Sequence, residues 1–200
     1  NMRISELSKK IGLVLQNPDH QLFTISCRDE IAFGLKNIGV PKEEMEERIR
    51  EALRLVGLEK EYDTFPFRMS FGDRRKLTVA TIIAMRPEVV ILDEPTTAQD
   101  YLGRYKLADL SRKLQEELGK TVIMISHDIE LIAKYVERLI VMKDGEIILD
   151  KPVREALQEV DILKEAFLEP PQITRLALNL KDKLSITGVL TVEEMLKVAS

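Results

Sequence analysis

The stretch Val89-Val90-Ile91-Leu92-Asp93-Glu94-Pro95 decides the fold of this 200-residue chain. Its apolar residues run without polar alternation, a pattern typical of a strand buried on both faces of a parallel sheet. The run ends in two carboxylates, and open α/β sheets bind ligands at the carboxyl ends of their strands. Asp93 is therefore placed to hold the Mg²⁺ of a nucleotide, and Glu94 to polarise an attacking water. The alternative is a buried strand that ends in a helix N-cap acid.

Composition narrows the class of protein. The chain is 44% hydrophobic and 32% charged, which indicates a globular protein. Its net charge of -4 comes from interspersed acids and bases, which argues against nucleic-acid binding as the main function. A single cysteine, Cys27, excludes an internal disulfide and fits a reducing cytosol. Because no apolar run approaches the roughly 20 residues of a membrane span and none resembles a signal peptide, we expect any membrane role to require a membrane partner.

Strand and helix patterns alternate along the chain. Residues 10–15 and 121–125 read as buried strands, and residues 76–85 as an apolar helix that ends before Pro87. Lys143-Asp144-Gly145 lies between two apolar runs and predicts a β-hairpin. Residues from about 152 onward carry only short amphipathic helix patterns. We therefore predict an α/β fold followed by a small helical appendage.

Polar residues follow these elements at positions suited to phosphate chemistry. Gln16 ends the first strand and reads as a turn residue or as a ligand of a metal or water. Ser70 precedes Asp73 by three residues, which predicts a capping box at the start of a helix. A helix start of this kind also offers free N–H groups to an anion. A lone histidine is more often structural than catalytic, but His127 comes directly after Ser126 at a strand end, which favours a function.

These elements stand in a fixed order: a glutamine loop, a serine-glycine helix start, a strand ending Asp-Glu-Pro, and a strand ending in histidine. Together they resemble the ATP-binding-cassette (ABC) ATPases, a resemblance that implies ATP and Mg²⁺ as cofactors. The resemblance implies catalytic roles for Glu94, His127 and Gln16. It implies nucleotide binding by Ser70, Gly72 and Asp100. The metal ligands would be Asp93 and Gln16. In these terms Asp93-Glu94 is the Walker B pair, Ser70 and Gly72 belong to the signature motif, and Asp100 belongs to the D-loop.

The segment Gly12–Phe23 is similar to the Q-loop of energy-coupling-factor (ECF) ATPases, and residues 168–177 and 190–194 are similar to that group's C-terminal segment. The resemblance implies a heterodimer with a second ATPase subunit on the cytoplasmic face of the membrane. A transmembrane scaffold subunit would contact residues 16–23, and a separate membrane subunit would capture a vitamin or a metal ion. It also implies an ABC ATPase domain at 1–151, with a helical subdomain at about 28–87, and a dimerisation segment at 152–200.

The sequence departs from the family in two respects. It contains no Gly-rich loop ending in Gly-Lys-Ser/Thr, so we expect a P-loop-type sheet that lacks its N-terminal part and binds ATP poorly alone. The signature reads Met69-Ser70-Phe71-Gly72-Asp73 where the family favours Leu-Ser-Gly-Gly-Gln, and Ala98-Gln99 precedes the D-loop aspartate. Two other functions remain open: a catalytically weak or silent regulatory subunit, and a non-transport ABC ATPase. The latter usually carries a long coiled coil, which this sequence lacks.

Overall fold

The computed structural model describes residues 3–97, 99–184 and 186–199, which form two compact units, Asn1–Ser126 and His127–Ser200. The predicted boundary at 151 falls inside the second unit, and the dimerisation role given to 152–200 stays a prediction. The first unit contains α1 (Ile4–Lys10), β1 (Ile11–Val14), α2 (Cys27–Ile38), α3 (Lys42–Val56), α4 (Phe71–Ala84), β2 (Val89–Asp93), α5 (Tyr101–Glu116) and β3 (Thr121–Ile125), with short 3-10 turns at Pro18–His20, Glu59–Glu61 and Pro66–Arg68.

The second unit is built on a β-hairpin. It contains α6 (Ile129–Tyr135), β4 (Arg138–Lys143), β5 (Glu146–Pro152), α7 (Val153–Ala156), α8 (Val160–Glu165), α9 (Gln172–Leu184) and α10 (Val192–Ala199). Asp144 and Gly145 both have positive φ, +50° and +84°, as the predicted two-residue turn requires. Leu139, Val141 and Leu149 of the hairpin form a core with α7 and α8.

Local sequence signals set the helix boundaries. α3 follows Pro41 and ends at Gly57, whose left-handed backbone (φ +73°) lets its N–H bond the carbonyl groups of Leu53 and Arg54. α4 ends at Ala84, ahead of Pro87. Among the described residues, no helix is both long enough and apolar enough to span a membrane.

The first unit contains a parallel sheet in the order β1-β2-β3. Val90 and Leu92 on one face are about 1% exposed and share a core with Leu77, Val79 and other residues of α4. The other face carries a row in register across the strands, Leu13, Ile91 and Ile123, of which Leu13 and Ile123 are 46% and 48% exposed. The parallel sheet was predicted correctly. Among the described residues, the helices of this unit cover one face, and the other face, which was expected to be buried, is partly exposed.

Gly12 fixes the distance between the sheet and α4. A Cβ at this position would overlap the Cγ2 methyl of Ile82, which is attached directly to a branched carbon and has little freedom to move. The close approach of β1 to α4 therefore requires glycine here. Since α4 begins at the Ser70 segment and β1 ends at Gln16, this contact helps to place both predicted site segments.

We expect Gly12→Ala to lower the free energy of unfolding by about 1–3 kcal/mol, the usual cost of overpacking a core. Urea unfolding followed by circular dichroism measures this change. Gly34→Ala is the matched control, because its Cβ would meet mainly the flexible Met85 side chain, with Sδ at 3.2 Å. Equal stability of the two variants would show that β1 does not depend on this close contact.

Candidate functional site

The ends of two neighbouring strands bring the predicted catalytic residues to one edge of the sheet. β1 and β2 are parallel, with Val14 paired to Leu92. The residues that follow, Gln16 on one strand and Asp93-Glu94 on the other, therefore emerge side by side at the carboxyl edge. Gln16 is exposed, whereas Asp93 and Glu94 are half-buried. The structure thus places these three residues together, and the catalytic and metal-binding roles given to them stay predictions.

Arg75 connects these two strand ends to α4. Its side chain is only 1% exposed, although it carries a guanidinium group. One terminal nitrogen donates to the main-chain carbonyl of Glu94, and the other donates to the main-chain carbonyl of Gln16. Burial lowers the pKa of Arg75, while the negative charges of Glu94 and Asp93 raise it in part. One side chain thus binds both predicted catalytic loops.

Glu94 has a strained backbone that several hydrogen bonds hold in place. Its φ is +44°, in the left-handed region that residues with a Cβ rarely adopt. The Glu94 N–H donates to the carbonyl of Ile125 at 2.9 Å, and the Glu94 carbonyl accepts from the N–H of Thr97 at 3.2 Å. The Thr97 hydroxyl donates to the Glu94 carboxylate Oε2 at 3.2 Å. A carboxylate held in this way is suited to a defined catalytic task.

The loop after β1 is tied down by side chains as well. The Gln21 Oε1 accepts from the N–H of Leu15 at 3.1 Å, which closes the loop that contains Gln16. Glu30 of α2 is 4% exposed, and its Oε2 accepts from the N–H groups of Phe23 and Thr24 at 3.0 and 2.8 Å. These bonds give the segment after β1 a definite course without a regular element.

The start of α4 has the predicted capping interaction and one further ion pair. The Ser70 Oγ accepts from the N–H of Asp73 at 3.1 Å and donates to the Asp73 carboxylate at 2.8 Å. Lys76 pairs with Asp73 at 2.7 Å. The hydrogen bond from Lys76, helped by that from Ser70, holds the pKa of the Asp73 carboxyl below its usual value, although partial burial opposes the shift. Asp73 therefore satisfies its charge within its own helix.

The D-loop residues lie beside the α4 start. Gly72 faces the Gln99 side chain, whose Oε1 would be 3.2 Å from a Cβ at position 72. The Asp100 Oδ1 accepts from the N–H of Gly103 at 2.7 Å and so caps α5. Ala98 lies outside the described residues. Within one unit, Arg75 of α4 therefore binds the main chain of Gln16 and Glu94, and the Gln99 side chain lies beside Gly72 at the start of the same helix.

His127 belongs to the second unit. It is exposed, it follows β3 closely along the chain, and its carbonyl accepts from the N–H of Ile129 at 3.1 Å. Asp128 next to it caps α6, with its Oδ1 accepting from the N–H of Leu131 at 3.1 Å. The role of His127 as an orienter of the γ-phosphate stays a prediction.

The predicted metal ligands fit Mg²⁺ in kind. In the part of the chain that the structure describes, no cluster of three or more His, Cys, Asp or Glu side chains forms a metal cage. Mg²⁺ on nucleotides is usually held by one or two carboxylates together with phosphates and waters. The Asp93 carboxylate and the Gln16 amide oxygen offer the hard oxygen donors that such a site needs.

Sequence reasoning missed three residues of this site. They are Arg75, Thr97 and Gln21. Arg75 stands between Arg74 and Lys76, and a run of three cations is typical of a solvated helix face. Thr97 and Gln21 have no signal in the sequence, because their partners are defined only when the loops fold.

Comparison with known proteins now adds to this geometry. Residues 1–97 match the family model described as ABC transporter. A putative ABC transporter ATP-binding protein of Methanosarcina mazei is 46% identical over 96% of this chain and 32% of its own length. The energy-coupling factor transporter ATP-binding protein EcfA2 of Clostridium perfringens is 41% identical over 91% of this chain and 65% of its own length. The chain thus spans between about a third and two thirds of these relatives.

One relative is covered more fully, and a solved structure agrees in fold. EcfA1 of Caldanaerobacter subterraneus is 40% identical over 96% of this chain and 70% of its own length. The structure of cbiO1 from Clostridium perfringens, described as part of the ABC transporter complex cbiONQ, superposes with a TM-score of 0.71 at 35% identity, over 85% of this chain and 68% of that one. The chain belongs to the ABC transporter ATPase family and groups there with the ATP-binding proteins of energy-coupling-factor transporters.

Proposed function

We propose that this chain is part of an ATP-hydrolysing subunit that energises an ECF-type importer of vitamins or transition-metal ions. The observation that carries the proposal is the meeting of Gln16 with Asp93-Glu94 at one sheet edge, bound to the start of α4 through Arg75. The complete subunit would lie peripherally at the cytoplasmic face of the membrane. The transported substrate would be selected by a separate membrane subunit.

Each site residue of this chain has its own role in the proposed hydrolysis of ATP. ATP with Mg²⁺ supplies the transferable phosphoryl group and a cation that offsets its charge. Asp93 and Gln16 offer oxygen atoms to the cation. The Glu94 carboxylate accepts a hydrogen bond from an attacking water and polarises it, while the Thr97 hydroxyl fixes one carboxylate oxygen. His127, after β3, orients the γ-phosphate.

The phosphate cradle must come from elsewhere in the complete protein, because the sequence has no Gly-rich loop of the Gly-Lys-Ser/Thr type. Such a loop links a strand to a helix. The row of Leu13, Ile91 and Ile123 supports the proposal, because Leu13 and Ile123 are exposed, whereas parallel sheets are normally covered on both faces. The helix that follows such a loop would cover this row, and the phosphate-binding loop would then lie at the sheet edge where Glu94 lies.

The segment that follows Gln16 fits the proposed contact with a transmembrane scaffold. Phe23 and Ile25 are 61% and 78% exposed, although both are large apolar side chains. Phe23 packs edge-on against the ring of Phe33, with centroids 4.8 Å apart, which holds it at the surface. Apolar side chains presented rigidly at a surface are typical of a protein interface. The same loop contains Gln16, so scaffold contact and catalysis share one segment.

The C-terminal helices fit the proposed contact with a second ATPase subunit. Several large apolar side chains are exposed there, namely Phe167, Leu176, Val192, Leu196 and Val198. α9 and α10 have their own small core, formed by Ala177, Ile186, Val189 and Met195. Their exposed apolar side chains are therefore not needed for local packing and are available to a partner.

The altered signature points to unequal ATPase sites. In the family, the signature of one subunit covers the γ-phosphate held by the other subunit. Here the Phe71 ring lies over the guanidinium groups of Arg74 and Arg75, at 5.8 and 5.6 Å, in the place of a glycine. Asp73 adds a negative charge, which Lys76 offsets in part. A catalytically silent regulatory subunit is the extreme form of this asymmetry. The Glu94→Gln variant distinguishes a silent subunit from an active one.

In the full-length protein with its partner subunit, we expect Glu94→Gln to keep ATP binding and to lose about 10²–10⁴-fold in turnover at its own site, the usual contribution of a catalytic base. Asp93→Asn is the matched comparison and should instead weaken Mg²⁺-dependent nucleotide binding. Phosphate release and fluorescent-nucleotide titration measure the two effects. Turnover within a few-fold of wild type in Glu94→Gln would favour the silent subunit.

Dimerisation is tested at the exposed C-terminal side chains. Leu176→Glu with Leu196→Glu should weaken association of the two ATPase subunits at least about tenfold, because a buried unpaired charge costs several kcal/mol. Light scattering across a concentration series measures this. Gln115→Glu, an exposed position on α5, is the control for added charge. Point substitutions are preferable to truncation, since Val153 and Leu157 belong to the core of the second unit. An unchanged dimer would exclude these helices from the interface.

The signature is tested with the Glu94 site disabled by Glu94→Gln, so that only the site formed with this chain's signature is active. Phe71→Gly with Asp73→Gln should then raise the residual turnover about tenfold. One phosphate charge about 6 Å from a carboxylate costs roughly 3 kcal/mol at an effective dielectric near 20, and Lys76 removes part of that repulsion. No gain in single-turnover phosphate release would mean that the altered signature is a tolerated variant.

A further inference from the structure

Arg75 is the largest of the fully buried side chains in the described chain, and its burial calls for an explanation. A charge removed from water is costly unless it is paired or hydrogen-bonded. Among the described residues Arg75 forms no salt bridge with a carboxylate, and both of its terminal nitrogens donate to main-chain carbonyls. Its Nε is buried and has no hydrogen-bond partner among the described residues. A core residue selected only for stability would fill this space with apolar atoms.

The two carbonyls belong to separate loops whose positions matter for the proposed chemistry. Gln16 precedes Arg75 by 59 positions and Glu94 follows it by 19. Each is the residue whose side chain would face the nucleotide. Arg75 binds the main-chain carbonyls of the two residues and not their side chains. A planar guanidinium holds its two terminal nitrogens in a fixed fork, which sets the separation of the two loops.

The guanidinium group of Arg75 is connected to the start of α4. Arg75 lies in the first turns of α4, five residues after the Ser70 cap, and the Phe71 ring lies 5.6 Å from its Cζ. A displacement of residues 70–72 would therefore displace Arg75, and with it the carbonyls of Gln16 and Glu94. The contact crosses from a helix start to two strand ends within a single unit.

We propose that Arg75 is a positioning residue that sets the catalytic Glu94 and the Q-loop Gln16 according to the position of the α4 start. It touches neither substrate nor metal and acts through the two carbonyl groups. When a nucleotide engages the α4 start, the helix position is transmitted to Glu94 and Gln16 together. The expected effect on ATP turnover rests on the proposed function, whereas the expected effect on the positions of the two loops does not.

The test uses the full-length protein with its partner subunit and compares Arg75→Met, Arg75→Lys and Leu53→Ala. Met keeps an unbranched chain but donates no hydrogen bond, and Lys keeps the charge but has no planar fork. Leu53 is a buried α3 residue, 1% exposed, and its truncation controls for lost stability alone. Hydrogen exchange read by mass spectrometry follows segments 15–21 and 93–97, with all variants held the same distance below their melting temperatures.

We expect exchange in both segments to be at least about tenfold faster in Arg75→Met than in Leu53→Ala, with Arg75→Lys intermediate. Steady-state kinetics should show kcat reduced about 10- to 100-fold with the KM for ATP within about threefold, because small misplacements of a catalytic group are costly. Leu53→Ala should keep the wild-type kcat per folded molecule. If Arg75→Met does not fold, Arg75→Lys gives the same comparison with a smaller change.

The outcomes are separable. Exchange equal to that of Leu53→Ala in either segment would overturn the proposal, as would an active enzyme whose kcat does not respond to Arg75→Met. A rise in KM with unchanged kcat would assign Arg75 to nucleotide binding and would also overturn it. If the wild-type complex hydrolyses no ATP but exchange rises in both segments, the proposed function fails while the mechanical link through Arg75 stands.

Discussion

The site depends on one buried guanidinium group. Without the bonds from Arg75, the loops that follow β1 and β2 would be related only by the ladder of the two strands, which ends at Val14 and Leu92. Beyond that point, among the described residues, no strand ladder pairs Gln16 with Glu94. A buried arginine is an expensive way to join two loops, because each donor must find an acceptor in place of water. The arrangement is rigid for the same reason, since either loop can move only by breaking a charge-assisted bond.

Glu94 shows why such rigidity is needed. A positive φ at a residue with a Cβ costs of order 1–3 kcal/mol and persists only where its surroundings impose it. Here the main chain of Glu94 is bound at both ends, by the carbonyl of Ile125 and by Arg75 together with the N–H of Thr97. Strand β3 therefore contributes to the site through the carbonyl group of its last residue, Ile125.

The sequence predicted most of the fold because its signals are local. Pro41, Gly57 and Pro87 punctuate helices, Asp144-Gly145 determines a turn, and apolar runs mark strands wherever they fall. The burial of each strand face is harder to predict, because an unbroken apolar run looks the same whether neighbouring elements cover one face or both. The exposure of Leu13 and Ile123 therefore could not be read from the apolar runs that contain them.

The site was predicted only in part, for a related physical reason. Gln16, Asp93 and Glu94 stand at strand ends, and a parallel sheet places strand ends together whatever the loops do. The bonds that fix these residues involve main-chain carbonyls, which have no residue identity, and partners far away in sequence. Arg75 is one of three consecutive cations in the sequence, Arg74-Arg75-Lys76, and nothing there distinguishes it as the buried one or says that its acceptors are the carbonyls of residues 16 and 94.

The start of α4 shows how a departure from a family motif can be accommodated locally. The first turn of a helix attracts anions through its free N–H groups and its dipole. In this chain the N–H of Asp73 is already bonded to the Ser70 hydroxyl, and the Asp73 carboxylate itself lies in that turn. Lys76 and Ser70 bind the carboxylate, and Phe71 covers the guanidinium groups of Arg74 and Arg75. Each unusual residue thus has a partner inside α4. An incoming phosphate would compete with an anion that the helix supplies for itself, so the helix is stable without a ligand and less receptive to one.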